Sequence, residues 1–230
     1  MKRAFAIAAL ALCSSTFSGV ARAQTTDEPQ YLRLPHRFQI FVEGGGALPT
    51  SPAIWNDLWN SAFSFGLGAG MSIFPWLEVN GGFSTMTFSL NSLQAKSVMR
   101  YQGIQEVEGG AVSATQFYGT ARFIAVPKSR TNPYVEATAG YFSSSAEDVV
   151  IEGVLVNSME DVSGLSVGGA AGIQYALGDY WTAYTKYNYI VNLTDNFAPG
   201  DLLQPVTGTL EEPSGNQVIQ TLVVGIMVRF

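Results

Sequence analysis

Apolar and polar residues alternate along most of this chain with a period of two. The last segment is the cleanest. Val218, Gln220, Leu222, Val224, Ile226, Val228 and Phe230 fall on one face, and Ile219, Thr221, Val223, Gly225, Met227 and Arg229 on the other. In Ala62–Phe74, the row Phe63, Phe65, Leu67, Ala69, Met71, Ile73 opposes Ser64, Gly66, Gly68, Gly70, Ser72. In Ser163–Leu177, Leu165, Val167, Gly169, Ala171, Ile173 and Tyr175 oppose Ser166, Gly168, Ala170, Gly172 and Gln174. Successive strand side chains point to opposite faces, so this period predicts strands. Arg37–Ala47, Leu77–Leu90, Ala114–Ala125, Tyr134–Ser145 and Tyr180–Val191 follow the same rule less cleanly, which makes eight. No run approaches the roughly 20 apolar residues of a membrane helix. An even number of antiparallel strands can close on itself and leave no edge.

The connections alternate in length. Short links lie at Pro75-Trp76, around Pro127–Pro133 and at Gly178-Asp179, and long ones at about 48–61, 91–113, 146–162 and 192–216. In a closed barrel all long loops then share one end, and the short turns and both termini share the other. That asymmetry belongs to membrane barrels with short periplasmic turns and long extracellular loops. A soluble barrel has no need of it and would turn its apolar face inward.

Charge decides which face is inside. Glu43, Glu78, Arg122, Glu136, Lys186 and Arg229 fall within strands, each opposite the more apolar row. A charge facing lipid costs about 2–4 kcal/mol at the bilayer midplane, whereas in a narrow lumen three acids and three bases can pair. The expected interior is a lower cluster of Glu78, Arg122, Glu136 and Arg229, with a separate Glu43–Lys186 contact above it. Two readings stay open: a network that stabilises and sets register, or a charged gate. Aromatic residues are expected in two girdles. Phe74, Trp76, Tyr134, Tyr180, Trp181 and Phe230 lie near the short turns, and Phe41, Phe63, Phe88, Phe142, Tyr187 and Tyr189 lie toward the long loops. In the first long loop Ile54, Trp55, Leu58 and Trp59 share a face at helical spacing. This predicts a short helix lying at the interface or capping the barrel mouth.

Composition narrows the chemistry. The chain has 230 residues, 47% apolar and only 13% charged, with a net charge of −6. An acidic balance argues against nucleic-acid binding. One His (His36) and one Cys (Cys13) leave almost no material for a metal centre or a nucleophilic triad, so no enzyme, metal or cofactor is expected. Met1-Lys2-Arg3, the apolar run Ala4–Leu12 and Ala21-Arg22-Ala23 form a secretory signal peptide over residues 1–23. Its rival, a lipidated Cys13, has Leu12 where a small residue belongs. Cleavage leaves nine basic residues against 18 acids, a net of −9. Residues 24–36 then form a periplasmic lead, and 37–230 the barrel. The long loops carry Asp57, Glu106, Glu108, Glu147, Asp148, Glu152, Glu160, Asp161, Asp195, Asp201, Glu211 and Glu212 against Lys96 and Arg100. That surface suits divalent cations or a basic protein partner, or serves only solubility. Around Val149-Val150-Ile151 a strand is expected to project as a hairpin arm able to add a partner strand.

These residues together resemble the small eight-stranded outer-membrane barrels of Gram-negative bacteria, the OmpA-like and OmpX-like transmembrane domains of the porin-like outer-membrane barrel families. The most specific likeness is the end Val224-Gly225-Ile226-Met227-Val228-Arg229-Phe230. The resemblance implies an outer-membrane location and a partnership with the outer-membrane assembly machinery, which would read Phe230, Val228 and Ile226. Contact with membrane lipids and lipopolysaccharide and a monomeric barrel are expected with it; some barrels that resemble this chain act on lipid A by acyl transfer or deacylation, but a single His, His36, offers no Ser-His-acid set near the outer leaflet. The role it suggests is structural or one of surface interaction. The competing expectation is a narrow channel for small or hydrophobic solutes.

Overall fold

The computed structural model describes residues 37–51, 53–92, 107–151, 154–157, 161–193 and 216–230. The signal-peptide segment, Cys13, the lead with His36, Lys96, Arg100 and seven of the long-loop acids lie outside the described residues. Eight long strands close into one antiparallel barrel: β1 (Phe38–Ser51), β2 (Ala62–Phe74), β3 (Leu77–Phe88), β5 (Val112–Ile124), β6 (Thr131–Ala146), β9 (Val162–Ala176), β10 (Trp181–Leu193) and β11 (Gln217–Arg229). Each is hydrogen-bonded to its sequence neighbour in the barrel, and β11 returns to β1 over Gln39↔Arg229 to Ser51↔Val218. The wall is therefore an up-and-down meander without a free edge. The expected segments coincide with these strands to within a few residues. The largest difference is at β1, which runs on to Ser51, beyond Ala47, through a register shift at Pro49/Ser51.

The inside follows from parity. Buried and exposed positions alternate along every barrel strand, as in β5 and β10. Gln39, Glu43, Ser64, Ser72, Asn80, Gln116, Thr120, Ser166, Gln174, Thr182 and Thr221 are all buried. Phe38, Ile40, Phe63, Phe117, Val135, Leu165 and Val224 are exposed on the other row, between 51% and 71%. An apolar outside around a polar inside is the reverse of a water-soluble barrel, and it is the arrangement that spans a bilayer.

The inner row also carries aromatic rings, which corrects the girdle expectation. Tyr134, Phe41, Phe88 and Phe142 point inward, at 3%, 7%, 0% and 1% exposure. The rings left outside form the belts. Phe74, Trp76, Tyr180, Trp181 and Phe230 lie near the short turns, with Phe74 and Trp76 stacked at 5.3 Å, and Phe63, Tyr187 and Tyr189 lie nearer the loops.

At the long-loop end a second, three-stranded sheet joins β4 (Val107–Gly109), β7 (Val149–Ile151) and β8 (Val154–Asn157) in the order β4-β7-β8. It extends the β5–β6 ladder: Glu147 N donates to the Ala111 carbonyl at 2.8 Å, and Gly110 N to the Asp148 carbonyl at 3.2 Å. Gly109 and Gly110, at φ of 76° and 71°, take the left-handed conformation that lets the chain bend between β4 and β5. The projection is thus not one hairpin alone, because the second long loop supplies a strand to it.

Closure predicts a simple behaviour. The protein refolded in detergent should migrate differently on SDS gels before and after boiling, since no strand edge is available for opening. Identical mobility, together with solubility in plain buffer, would mean the two faces are reversed.

Candidate functional site

The six in-strand charges meet inside the barrel, all with 7% exposure or less. The pairing register brings them together: Glu78 lies opposite Arg122, and Arg122 opposite Glu136. They form one alternating chain rather than the two separate groups expected. Arg229 Nη2 donates to Glu78 Oε1 at 2.9 Å, and Arg122 Nη1 to Glu78 Oε2 at 3.3 Å. Arg122 Nε donates to Glu136 Oε1 at 2.6 Å. Lys186 Nζ then spans Glu136 Oε2 at 3.4 Å and Glu43 Oε2 at 3.0 Å. Glu136 is the joint between the lower and upper members. The sequence places it near Arg122, but only the closed circumference lets Lys186 reach it from β10.

Neutral groups complete the lower layer. Gln39 bridges Arg229 and Asn80, accepting from Arg229 Nε at 3.3 Å and donating to Asn80 Oδ1. Arg229 Nη1 donates to Thr182 Oγ1 at 2.7 Å. Three tyrosines, which the sequence reading did not place in the lumen, complete the upper layer. Tyr184 and Tyr118 hydroxyls donate to Glu43 Oε2 and Oε1 at 2.8 and 3.3 Å. The Arg122 guanidinium lies 4.4 Å from the Tyr134 ring centre and 5.2 Å from that of Tyr184, within cation–π range. Parity with Arg122, Glu136 and Lys186 on their own strands is the signal that would have found them.

Four of the inner rings lie against glycines. Tyr134 lies opposite Gly172, Tyr184 opposite Gly225, Tyr118 opposite Gly82 and Phe41 opposite Gly68. At all four glycines a Cβ would fall against the facing ring, at 2.6 Å from Tyr134 Cζ in the case of Gly172. The small inward residues thus make room for specific neighbours across the strand.

Above the charges the filling turns apolar. The short helix α1 (Ala53–Leu58) sits in the mouth. Trp55, Leu58 and Trp59 are fully buried against Ala47, Met86, Phe88, Val112, Phe142 and Ile219. Trp55 and Trp59 rings pack at 4.9 Å, and Trp55 meets Phe88 edge-on at 5.3 Å. Trp59 Nε1 donates to the Gly110 carbonyl at 2.9 Å, tying the first loop to the second. These two Trp residues are therefore a plug inside the rim and do not lie at the lipid interface. The Ile54 side chain lies outside the described residues. Between plug and charges remains a polar cavity of about 20 Å³, lined by Ser64, Ser84, Gln116, Thr120, Asn188 and Thr221 among others. That is room for about one water.

The remaining predicted positions lie on the outside. Trp76 and Trp181 are exposed at the short-turn end, at 47% and 52%. Ile226, Val228 and Phe230 follow one another on the outward row of β11, and Phe230 N donates to the Phe38 carbonyl at 2.9 Å. Among the described residues no cluster of His, Cys, Asp and Glu could hold a metal ion.

A closed eight-stranded meander with an apolar outside and a filled polar lumen has the fold of the small outer-membrane barrels. The comparisons with known proteins agree in fold. Outer membrane protein OprG from Pseudomonas aeruginosa is similar with a TM-score of 0.54 and 11% identity, covering 88% of this chain and 99% of that one. Neisserial surface protein A is similar with a TM-score of 0.53 and 13% identity, covering 84% and 97%. Ail, the attachment invasion locus protein of Yersinia pestis, in complex with the heparin analogue sucrose octasulfate, is similar with a TM-score of 0.51 and 12% identity, covering 86% and 100%. No family model matches the sequence, and no curated protein matches it.

The chain of charges predicts an order of effects. Removing one partner of a buried pair costs about 3–5 kcal/mol. Glu136→Gln leaves both Arg122 and Lys186 short of a carboxylate, so it should lower stability in a urea titration in detergent by that order. Glu43→Gln, at the end of the chain, should cost less. Equal costs would mean that the two groups do not communicate. Gly225→Ala must displace the Tyr184 ring, at about 1–3 kcal/mol. Gly46→Ala, with nothing within 4 Å of the added carbon, should be close to neutral in the same titration.

Proposed function

We propose that this protein is a non-enzymatic component of a bacterial outer membrane, exported by its signal peptide. It spans the bilayer as a sealed barrel, short turns toward the periplasm, and acts structurally or through surface interaction at its acidic long-loop end. The observation that carries the reading is the filled interior. Charges, tyrosines, one water-sized cavity and a tryptophan plug follow one another along the lumen. Eight strands enclose only enough space for side chains, and here the side chains use it.

The sheet β4-β7-β8 continues beyond the barrel wall at the long-loop end. The described acids there are Asp57, Glu108, Glu147, Asp148 and Asp161. They suit a divalent cation or a basic protein partner. Two of the similar folds are named as a surface protein and an attachment and invasion protein, which is consistent with such a role. Ile226, Val228 and Phe230 stand on one outward row, which the assembly machinery would read. An acyl-transfer or deacylation site built on a Ser-His-acid set has no support in the sequence, whose single His is His36. The barrel is expected to act as a monomer in contact with lipids and lipopolysaccharide.

Planar-bilayer recording separates this reading from the competing one, a narrow channel. The purified barrel should give no discrete conductance steps. Steady steps would overturn the sealed barrel, and Glu78→Gln or Arg122→Gln should then change their ion selectivity.

A further inference from the structure

The lipid-facing wall is not uniformly smooth. An open groove of about 640 Å³ crosses it. It forms where β10 presents the small side chains of Ala183 and Thr185 between larger neighbours. Tyr175 lies opposite Ala183, which lies opposite Ile226; Ile173 lies opposite Thr185, which lies opposite Val224. The result is a trough that crosses β10 and β11, from Ile173 and Tyr175 of β9 to Val42 of β1 and Phe65 of β2. Its lining is almost wholly apolar.

One lining residue also carries a cation. The guanidinium carbon of Arg130 lies 4.9 Å from the Tyr175 ring centre, and its Nε donates to the Ala176 carbonyl at 3.0 Å. Tyr175 faces outward at the short-turn end of β9, so this arginine is held against the lipid-facing wall at the level of the headgroups. Lys128 is exposed in the same turn. Among the described residues the charged side chains of this rim are Arg37, Lys128, Arg130 and Asp179, a positive balance. At the long-loop end the described charges outside the lumen are all acidic.

We propose that the trough and Arg130 together form a binding site for one anionic glycerophospholipid of the leaflet at the short-turn end. The headgroup phosphate sits at Arg130 with Lys128 beside it, and an acyl chain lies in the trough over Ala183 and Thr185. A guanidinium matches a phosphate in a bidentate fork, and basic side chains at a membrane surface attract anionic headgroups. Tyr175 belongs to both halves, which fixes the headgroup position relative to the trough. The opposite leaflet is disfavoured, because the acids at the long-loop end repel a phosphate. The inference rests on the barrel lying in a bilayer.

The test is native mass spectrometry of the refolded full barrel in non-ionic detergent, titrated with phosphatidylglycerol, phosphatidylcholine or inorganic phosphate. One phosphatidylglycerol should be retained in preference to phosphatidylcholine. Arg130→Gln and Lys128→Gln should each weaken retention roughly fivefold. Ala183→Phe should abolish it by filling the trough, with Thr185→Phe as a second variant should the first fail to fold. Val135→Phe, exposed on the lipid face of β6 and outside the groove, should leave it unchanged. Equal retention of both lipids, indifference to Arg130→Gln, or full displacement by inorganic phosphate would overturn the site. The boiling shift is read on the same samples: an intact shift with no selective lipid overturns the inference alone, and no shift in the parent protein overturns the membrane reading beneath it.

Discussion

Hydrocarbon offers no hydrogen-bond partner to a peptide group, so a chain that crosses it by strands must return its last strand to its first. The β1–β11 ladder, running from Gln39↔Arg229 to Ser51↔Val218, is where this chain meets that demand. Everything else follows from closing a sheet of only eight strands. The lumen is narrow, each inward residue meets others from across the barrel, and each must be matched to them in size and charge.

The lumen resolves this matching in layers. Near the short turns, where Arg229, Glu78 and Arg122 enter from three strands, every carboxylate has a cation and each cation has more than one acceptor. A buried charge is tolerable only when paired and hydrogen-bonded. The neutral shell of Gln39, Asn80, Thr182 and Gln174 supplies bonds that the ion pairs leave over. Higher up, the tyrosines place hydroxyls on Glu43 and rings beside Arg122 and Lys186. At the mouth, where loops rather than strands fill the space, tryptophan and aliphatic side chains take over. The glycines opposite Tyr134, Tyr184, Tyr118 and Phe41 are the counterpart of that filling.

The fold was legible because period-two patterning survives over whole strands, and because loop length alternates. The inward row was legible from the six charges. The facing of the aromatic residues is legible from parity and not from position along a strand. Tyr134 shares a face with Glu136 and Phe41 with Glu43, so strand alternation alone turns both inward. Trp55 and Trp59 were harder. Helical spacing gives them a common face, but whether that face meets lipid or lumen depends on where the loop folds. Here the Trp59–Leu90 bridge and the bond from Asn91 N to the Leu58 carbonyl fold it over the mouth. The three-strand sheet at the loop end was only partly visible, since one of its strands comes from a different loop.

What the sequence determined by itself was therefore the local and periodic part: the number of barrel strands, the inward and outward rows of each strand, the asymmetry of the two ends and the acidity of the long loops. Those properties follow from a backbone period and from the cost of placing charge in lipid, and neither needs distant residues. The tertiary structure alone decided the long-range part. It joined Lys186 to Glu136 so that two groups became one chain, set each ring on its glycine and drew the first loop into the lumen. It also laid Ala183 and Thr185 between larger neighbours to open a trough on the outer wall. Those outcomes depend on register and on closure, which set distances between residues up to 190 positions apart, and no local pattern carries that information.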